Sequence, residues 1–263
     1  MLEKWLECAD RAASPYTKFA VIDINEQHEV TDEIKENLRR MLRDALFGNE
    51  LLEDAAAELG WDWVDENIIR EKAPTLMQIQ RGHFGEALMA EILREFYGYE
   101  VPVAKLRYAF LQNQSPPLTD VIALKLDDSG KITEVCFAEA KLRSTSSTDA
   151  GTKAYESLKF DYEKKLSEVT TFMLGRLHEQ DEALFKAFLR YLREREDTVE
   201  KDSFCIALVF NSASWSDTVL ENLEDSGVDL PRITVEVVRI ADIADLCDGL
   251  FADLGFVGVF DDE

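Results

Sequence analysis

Asp120-Val121-Ile122-Ala123-Leu124-Lys125-Leu126-Asp127-Asp128-Ser129-Gly130-Lys131-Ile132-Thr133-Glu134-Val135-Cys136-Phe137-Ala138-Glu139-Ala140-Lys141-Leu142-Arg143 holds two apolar runs separated by one polar turn. Both runs have the length and the β-branched, aliphatic and aromatic content of strands. Asp127 to Lys131 forms the turn, with Gly130 where a hairpin needs conformational freedom. The strands therefore pair antiparallel, which brings the start of the first beside the end of the second. Asp120 and Glu139 become neighbours in space. Ser115-Pro116-Pro117-Leu118-Thr119 reads as the loop that leads into the first strand.

Side chains alternate along a strand, so Glu139 and Lys141 share a face with Val135 and Phe137, while Cys136, Ala138, Ala140 and Leu142 point the other way. Two charges at the end of an apolar face form either an edge ion pair or a reactive group. Glu-x-Lys also occurs at Glu33-Ile34-Lys35 and Glu163-Lys164-Lys165, both in polar stretches of helical character, where ordinary solvated charges suffice. Only Glu139-Ala140-Lys141 lies on a strand with an aspartate delivered beside it. Converging acids hold a hard divalent cation through oxygen, and a nearby lysine orients water and offsets phosphate charge. Such a set suits phosphodiester hydrolysis.

Upstream, Met77 to Phe96 has apolar residues at helical spacing. Gly82 and Gly85 weaken a helix, so their place near Glu86 implies close packing or close approach of another group. Glu86 shares its helix surface with Ala90 and Leu93, so it either faces inward or is an ordinary exposed helical glutamate. His83, one of three histidines, is either a packed residue or a contact to the site or to phosphate.

Through Gly85-Glu86 on a helix, Thr119-Asp120 on one strand and Glu139-Ala140-Lys141 on the next, the chain resembles the PD-(D/E)XK nuclease superfamily. The resemblance implies a restriction-endonuclease-like core in which Glu86, Asp120 and Glu139 bind one or two Mg2+ (or Mn2+) ions and Lys141 assists the attacking water. Thr119 stands where the superfamily usually has proline, a departure that leaves the ligands in place. A closer resemblance, carried by overall size, Arg81-Gly82-His83-Phe84-Gly85-Glu86, Thr119-Asp120 and Ala138-Glu139-Ala140-Lys141-Leu142-Arg143, is to the HamA family, nuclease subunits of bacterial Hachiman anti-phage systems. It implies a DNA nuclease restrained by a HamB-like helicase partner and released when that partner meets phage or damaged DNA. Lys153 and Tyr155, where this class often places a basic or aromatic residue, join Arg143 as candidate DNA contacts.

A chain of 263 residues, 46% hydrophobic, can bury a full core. Tyr16 to Asn25 offers a strand, Asp32 to Phe47 an amphipathic helix capped by Thr31, and Glu50 to Leu59 a short helix. Trp61, Trp63 and Val64 read as packing residues. Further helices are expected at about 152–177, 181–195 and 216–223, with strands at Phe204 to Phe210 and Ile233 to Ile240. The fold class is α/β, a mixed central sheet flanked by helices, with an N-terminal strand-helix extension over residues 1–73 and the core over 74–263. Glu71-Lys72-Ala73-Pro74 marks that boundary.

No apolar run is long enough to span a bilayer and no signal pattern is evident, so a cytoplasmic protein is expected. The four cysteines lack metal-ligand spacing and read as reduced thiols. No phosphate-binding loop, Gly-x-Ser-x-Gly elbow or His-Glu-x-x-His helix is present. With 53 acidic against 29 basic residues the formal charge is −24, whereas a protein that grips DNA unaided carries a basic footprint. Three accounts follow. A local patch could form from Lys141, Arg143, Lys153, Lys159, Lys164 and Lys165, with Lys105 and Arg107. A partner could supply the grip. Or the chain is a non-catalytic acidic subunit that binds and regulates a helicase.

Overall fold

The computed structural model describes residues 1–11, 14–195 and 199–255; residues 256–263, the end of the expected core, lie outside the described residues. Six strands make one mixed sheet in the order β1-β2-β6-β5-β4-β3. They are β1 (Leu6–Asp10), β2 (Ala20–Glu26), β3 (Val121–Leu126), β4 (Ile132–Arg143), β5 (Asp202–Asn211) and β6 (Ile233–Ile240). The helices that build the fold are α1 (Asp32–Leu46), α2 (Asn49–Leu59), α3 (Met77–Glu95), α4 (Ala150–Lys164), α5 (Leu166–Gln180), α6 (Glu182–Glu194), α7 (Thr218–Asp225) and α8 (Ile243–Ala252). The α/β class with a mixed sheet between helices is as expected.

β3 and β4 form the anticipated antiparallel hairpin, from Val121 opposite Ala138 to Leu126 opposite Ile132. Its turn is held by the Asp127 carboxylate, which accepts from the Ser129 and Lys131 amides, with Gly130 at φ 74°. β4, β5, β6 and β2 run parallel, and β1 closes the far edge antiparallel to β2. β5 lies in the middle and is apolar nearly throughout, as a strand covered on both faces must be. Residues 6–10 carried no strand expectation; β1 forms because β2 offers them an open edge.

The alternation along β4 assigns its two faces. Cys136, Ala138 and Ala140 pack with Met89 and Leu93 of α3, and α1 and α8 extend that layer through Leu142, Val209 and Val238. Val135 and Phe137 face the opposite layer, built by α4 to α7. Small residues on the α3 side let the helix approach closely. A Cβ added at Gly85 would lie 3.4 Å from that of Leu142 and 3.9 Å from that of Ala140. Gly82 is different: it is exposed, with nothing within 4 Å of the corresponding point. Gly85→Val is therefore expected to cost about 1–3 kcal/mol by overpacking. Gly82→Ala should instead gain up to about 1 kcal/mol of helix propensity. Thermal unfolding of the two variants checks the contrast.

Three local expectations are corrected. Trp61 and Trp63 are 37% and 43% exposed, and only Val64 of that trio is buried. They ride on a short helical segment of which one face meets the protein, so sequence hydrophobicity did not translate into burial. The helix expected over 152–177 is two helices, broken at Lys165, whose ψ of 18° lets α5 turn away from α4. The strand expected from Tyr16 begins at Ala20. The caps at Thr31, which accepts from the Ile34 amide, and at Asp181, which accepts from Ala183 and Leu184, are as the residue types dictate. No helix among the described residues is long and apolar enough to cross a membrane.

Candidate active site

The hairpin register, carried one step past Val121–Ala138, sets Asp120 against Glu139. Asp120 Oδ2 accepts the Ala140 amide at 3.0 Å, so the aspartate is anchored to the strand that bears Glu139. Glu139 is 3% exposed, and Lys141 Nζ donates to its Oε1 at 2.5 Å. On the other side of Asp120, α3 presents Glu86, which is buried, the inward of its two readings. The three acids and the lysine picked from the sequence thus sit around one end of the hairpin.

The environment of these groups is unfavourable to negative charge. Burial pushes the Glu139 carboxyl up to about 7, and the Asp120 charge adds to that; Lys141 and the Ser157 hydroxyl oppose it. Burial also holds Glu86 well above the usual carboxylate range. Lys105 is the main opposing influence there, while Asp120 and Glu139 push the same group higher. His83 is buried beside them and pushed down to about 4, first by burial and then by Lys105, so its ring is neutral at ordinary pH. Its Nε2 lies 3.3 Å from Ser115 Oγ, while Nδ1 has no hydrogen-bond partner.

Lys105 is the site residue that the sequence reading missed, having placed it only in a basic cluster. It begins a 3-10 turn (Lys105–Tyr108) after an extended segment tied to β3 by reciprocal 2.8 Å bonds between Glu100 and Leu124. Its Nζ lies 3.1 Å from Asp120 Oδ1 and 3.6 Å from Glu86 Oε2, and donates to the Leu118 carbonyl at 2.9 Å. Burial disfavours its charge, yet Glu86 and Asp120 outweigh that and raise its pKa. The available signal was a lone lysine after Val101-Pro102-Val103-Ala104, where a charge in an apolar stretch needs a partner.

Three carboxylates offer the hard oxygen donors that magnesium or manganese takes. The buried Thr119 Oγ1 and His83 Nδ1, both without partners, leave polar atoms beside them for a ligand or its waters. Among the described residues no group of three or more His, Cys, Asp and Glu side chains is in ligating position for a metal ion. The residues fit such an ion in kind, and the Lys105 ammonium stands between two of them. A cavity of about 270 Å³ between α1 and α3 reaches Glu86, Lys105 and Asp120, with Arg40 and Arg94 also on its walls.

The candidate DNA contacts are dispersed. Lys153 is exposed and paired with Asp149 at 2.6 Å. Arg143, at the end of β4, donates to the Leu142 carbonyl at 2.8 Å. Tyr155 is buried: its hydroxyl donates to Asp229 and accepts from the Asp229 and Leu230 amides. Helical spacing puts it with Ala154 and Leu158 on the core side of α4. The wider basic cluster is largely neutralised locally, Lys159 by Asp229, Lys165 by Asp161 and Arg107 by Asp44. Compared with known families, residues 1–253 match the family model described as HamA. No curated protein matches the chain.

Proposed function

Since the chain belongs to the HamA family, and is thereby a component of Hachiman defence, we propose that it is a Mg2+- or Mn2+-dependent DNA nuclease of the PD-(D/E)XK type. The observation that carries this reading is the placement of Glu139 and Lys141 on β4 with Asp120 anchored beside them and Glu86 opposite. Asp120, Glu139 and Glu86 would hold the cation, which would supply Lewis acidity toward a phosphoryl oxygen. Lys141 orients the attacking water and stabilises the charge that builds on the phosphate. The low exposure of Glu139 and Glu86 keeps bulk water away and strengthens each of these interactions.

Delivery to DNA is assigned to a HamB-like helicase. The net charge of −24 repels a polyanion, and most basic side chains near the site already have acidic neighbours. The test incubates linear and plasmid DNA with Mg2+ and the protein, alone and with a HamB-like helicase. Cleavage that appears or rises at least about tenfold with the partner, and vanishes on chelation, is expected. If DNA remains intact in every condition, with and without the helicase, the nuclease reading fails. The chain would then be an acidic subunit that binds and regulates the helicase.

A further inference from the structure

Lys105 is 6% exposed, and three acceptors, the Leu118 carbonyl, Asp120 and Glu86, surround an ammonium that has three donors. Two of those acceptors are carboxylates assigned above to a divalent cation. We propose that Lys105 is a built-in counter-ion occupying the cation position of the metal-free site, so that a divalent ion binds only as the ammonium withdraws from Asp120 and Glu86. This inference rests on the metal-dependent reading of the site.

Glu86, Asp120 and Glu139 in a poorly hydrated pocket would repel one another strongly if nothing offset them. Lys105 offsets them at short range without any ion from solution. A divalent cation held by the same oxygens would lie a few ångströms from the ammonium, and the two positive charges would exclude each other. Withdrawal has a route. The chain ahead of the turn is held to β3 at Glu100, and the four-carbon stem would swing into the cavity that Lys105 lines together with Glu86 and Asp120. Glu91 and Asp44 on the walls of that cavity, which pair with Arg94 and Arg107 in the metal-free protein, are the carboxylates that the displaced ammonium would share. The site therefore stays neutralised when no cation is present, and its metal affinity is set below that of three unopposed acids.

The experiment titrates Mn2+ into the full chain by calorimetry, comparing the wild type with Lys105→Gln, Lys105→Met and Lys105→Arg. Loss of the charge in the Gln and Met variants is expected to tighten Mn2+ binding about tenfold. The Arg variant should bind no more tightly than the wild type. Without metal the Gln variant should melt below the wild type, and saturating Mn2+ should raise its melting temperature by the larger increment. Gln retains donors for Leu118 and Asp120, so it carries the comparison if Met prevents folding. A crystal of the wild type with Mn2+ should show Lys105 Nζ away from Asp120. Mn2+ binding by the wild type that Lys105→Gln leaves unchanged or weakens would overturn the role of Lys105 alone. Absence of Mn2+ binding in both would overturn the metal centre and this inference with it.

Discussion

Glu139→Ala is expected to lower DNA cleavage at least about a thousandfold, and Lys141→Ala by a similar factor, in the presence of helicase and Mg2+. The two groups act on one reaction centre: Nζ of Lys141 is 2.5 Å from Glu139 Oε1, and the strand they share fixes their spacing. Removing either leaves the other without its partner, so the double variant should be no worse than the single ones beyond a few-fold. Loss of activity through unfolding would be the trivial explanation, and the electrostatics distinguish it. Glu139 is a buried acid whose carboxyl is held at about 7. In the metal-free protein its removal lifts a charge penalty at pH 8 that offsets the lost contact with Lys141, so the variant should remain folded. Cleavage assays paired with thermal unfolding at pH 8 make the check. A Glu139→Ala protein that is folded and cuts DNA like the wild type would refute the assignment.

Glu236→Gln is expected to stabilise the protein by about 2–3 kcal/mol at pH 8.5 and by less than about 1 kcal/mol at pH 5. Glu236 lies in the middle of β6, between Ile22 of β2 and Ala207 of β5, and is wholly buried. Neither carboxylate oxygen completes a hydrogen bond. Burial pushes the group up to about 7, and the nearby Cys205 thiol and Tyr97 hydroxyl counter that only in part. In the unfolded chain it titrates near 4.5. The folded form thus keeps its proton over a range where the unfolded form has lost it. Stability falls as pH rises from the unfolded value through the folded one, and the full penalty applies above about 8. Glutamine keeps the shape and removes the charge, which is why its benefit grows with pH. Urea unfolding at the two pH values measures it. An equal gain at both would mean that the carboxylate is solvated or paired in solution.

How the site could be read in advance follows from what acts locally. Strand alternation, the Asp127–Lys131 turn and the apolar face of α3 are written within a few residues of one another, and they sufficed to bring Asp120 beside Glu139 and to offer Glu86 an inward place. Gly85 was legible for the same reason, as a helix position packed closely on Leu142 and Ala140, whereas Gly82 looked identical in sequence and packs against nothing. Tyr155 and Lys153 differ by two positions on α4, yet one buries its ring and holds Asp229 through its hydroxyl while the other pairs on the surface. That distinction depended on where α7 and the loop before β6 lie.

By itself the sequence determined the hairpin, the mixed α/β class and the set of acids that converge at its open end, because turn chemistry and the period of apolar residues act over short range. Only the tertiary structure decided that β6 and β5 stand between β2 and β4, that Glu236 is sealed among them, and that Lys105 fills the space between Glu86 and Asp120. Each of these depends on contacts between residues far apart in the chain, where the free energy of burying or pairing a charge is set by groups that no local pattern encodes.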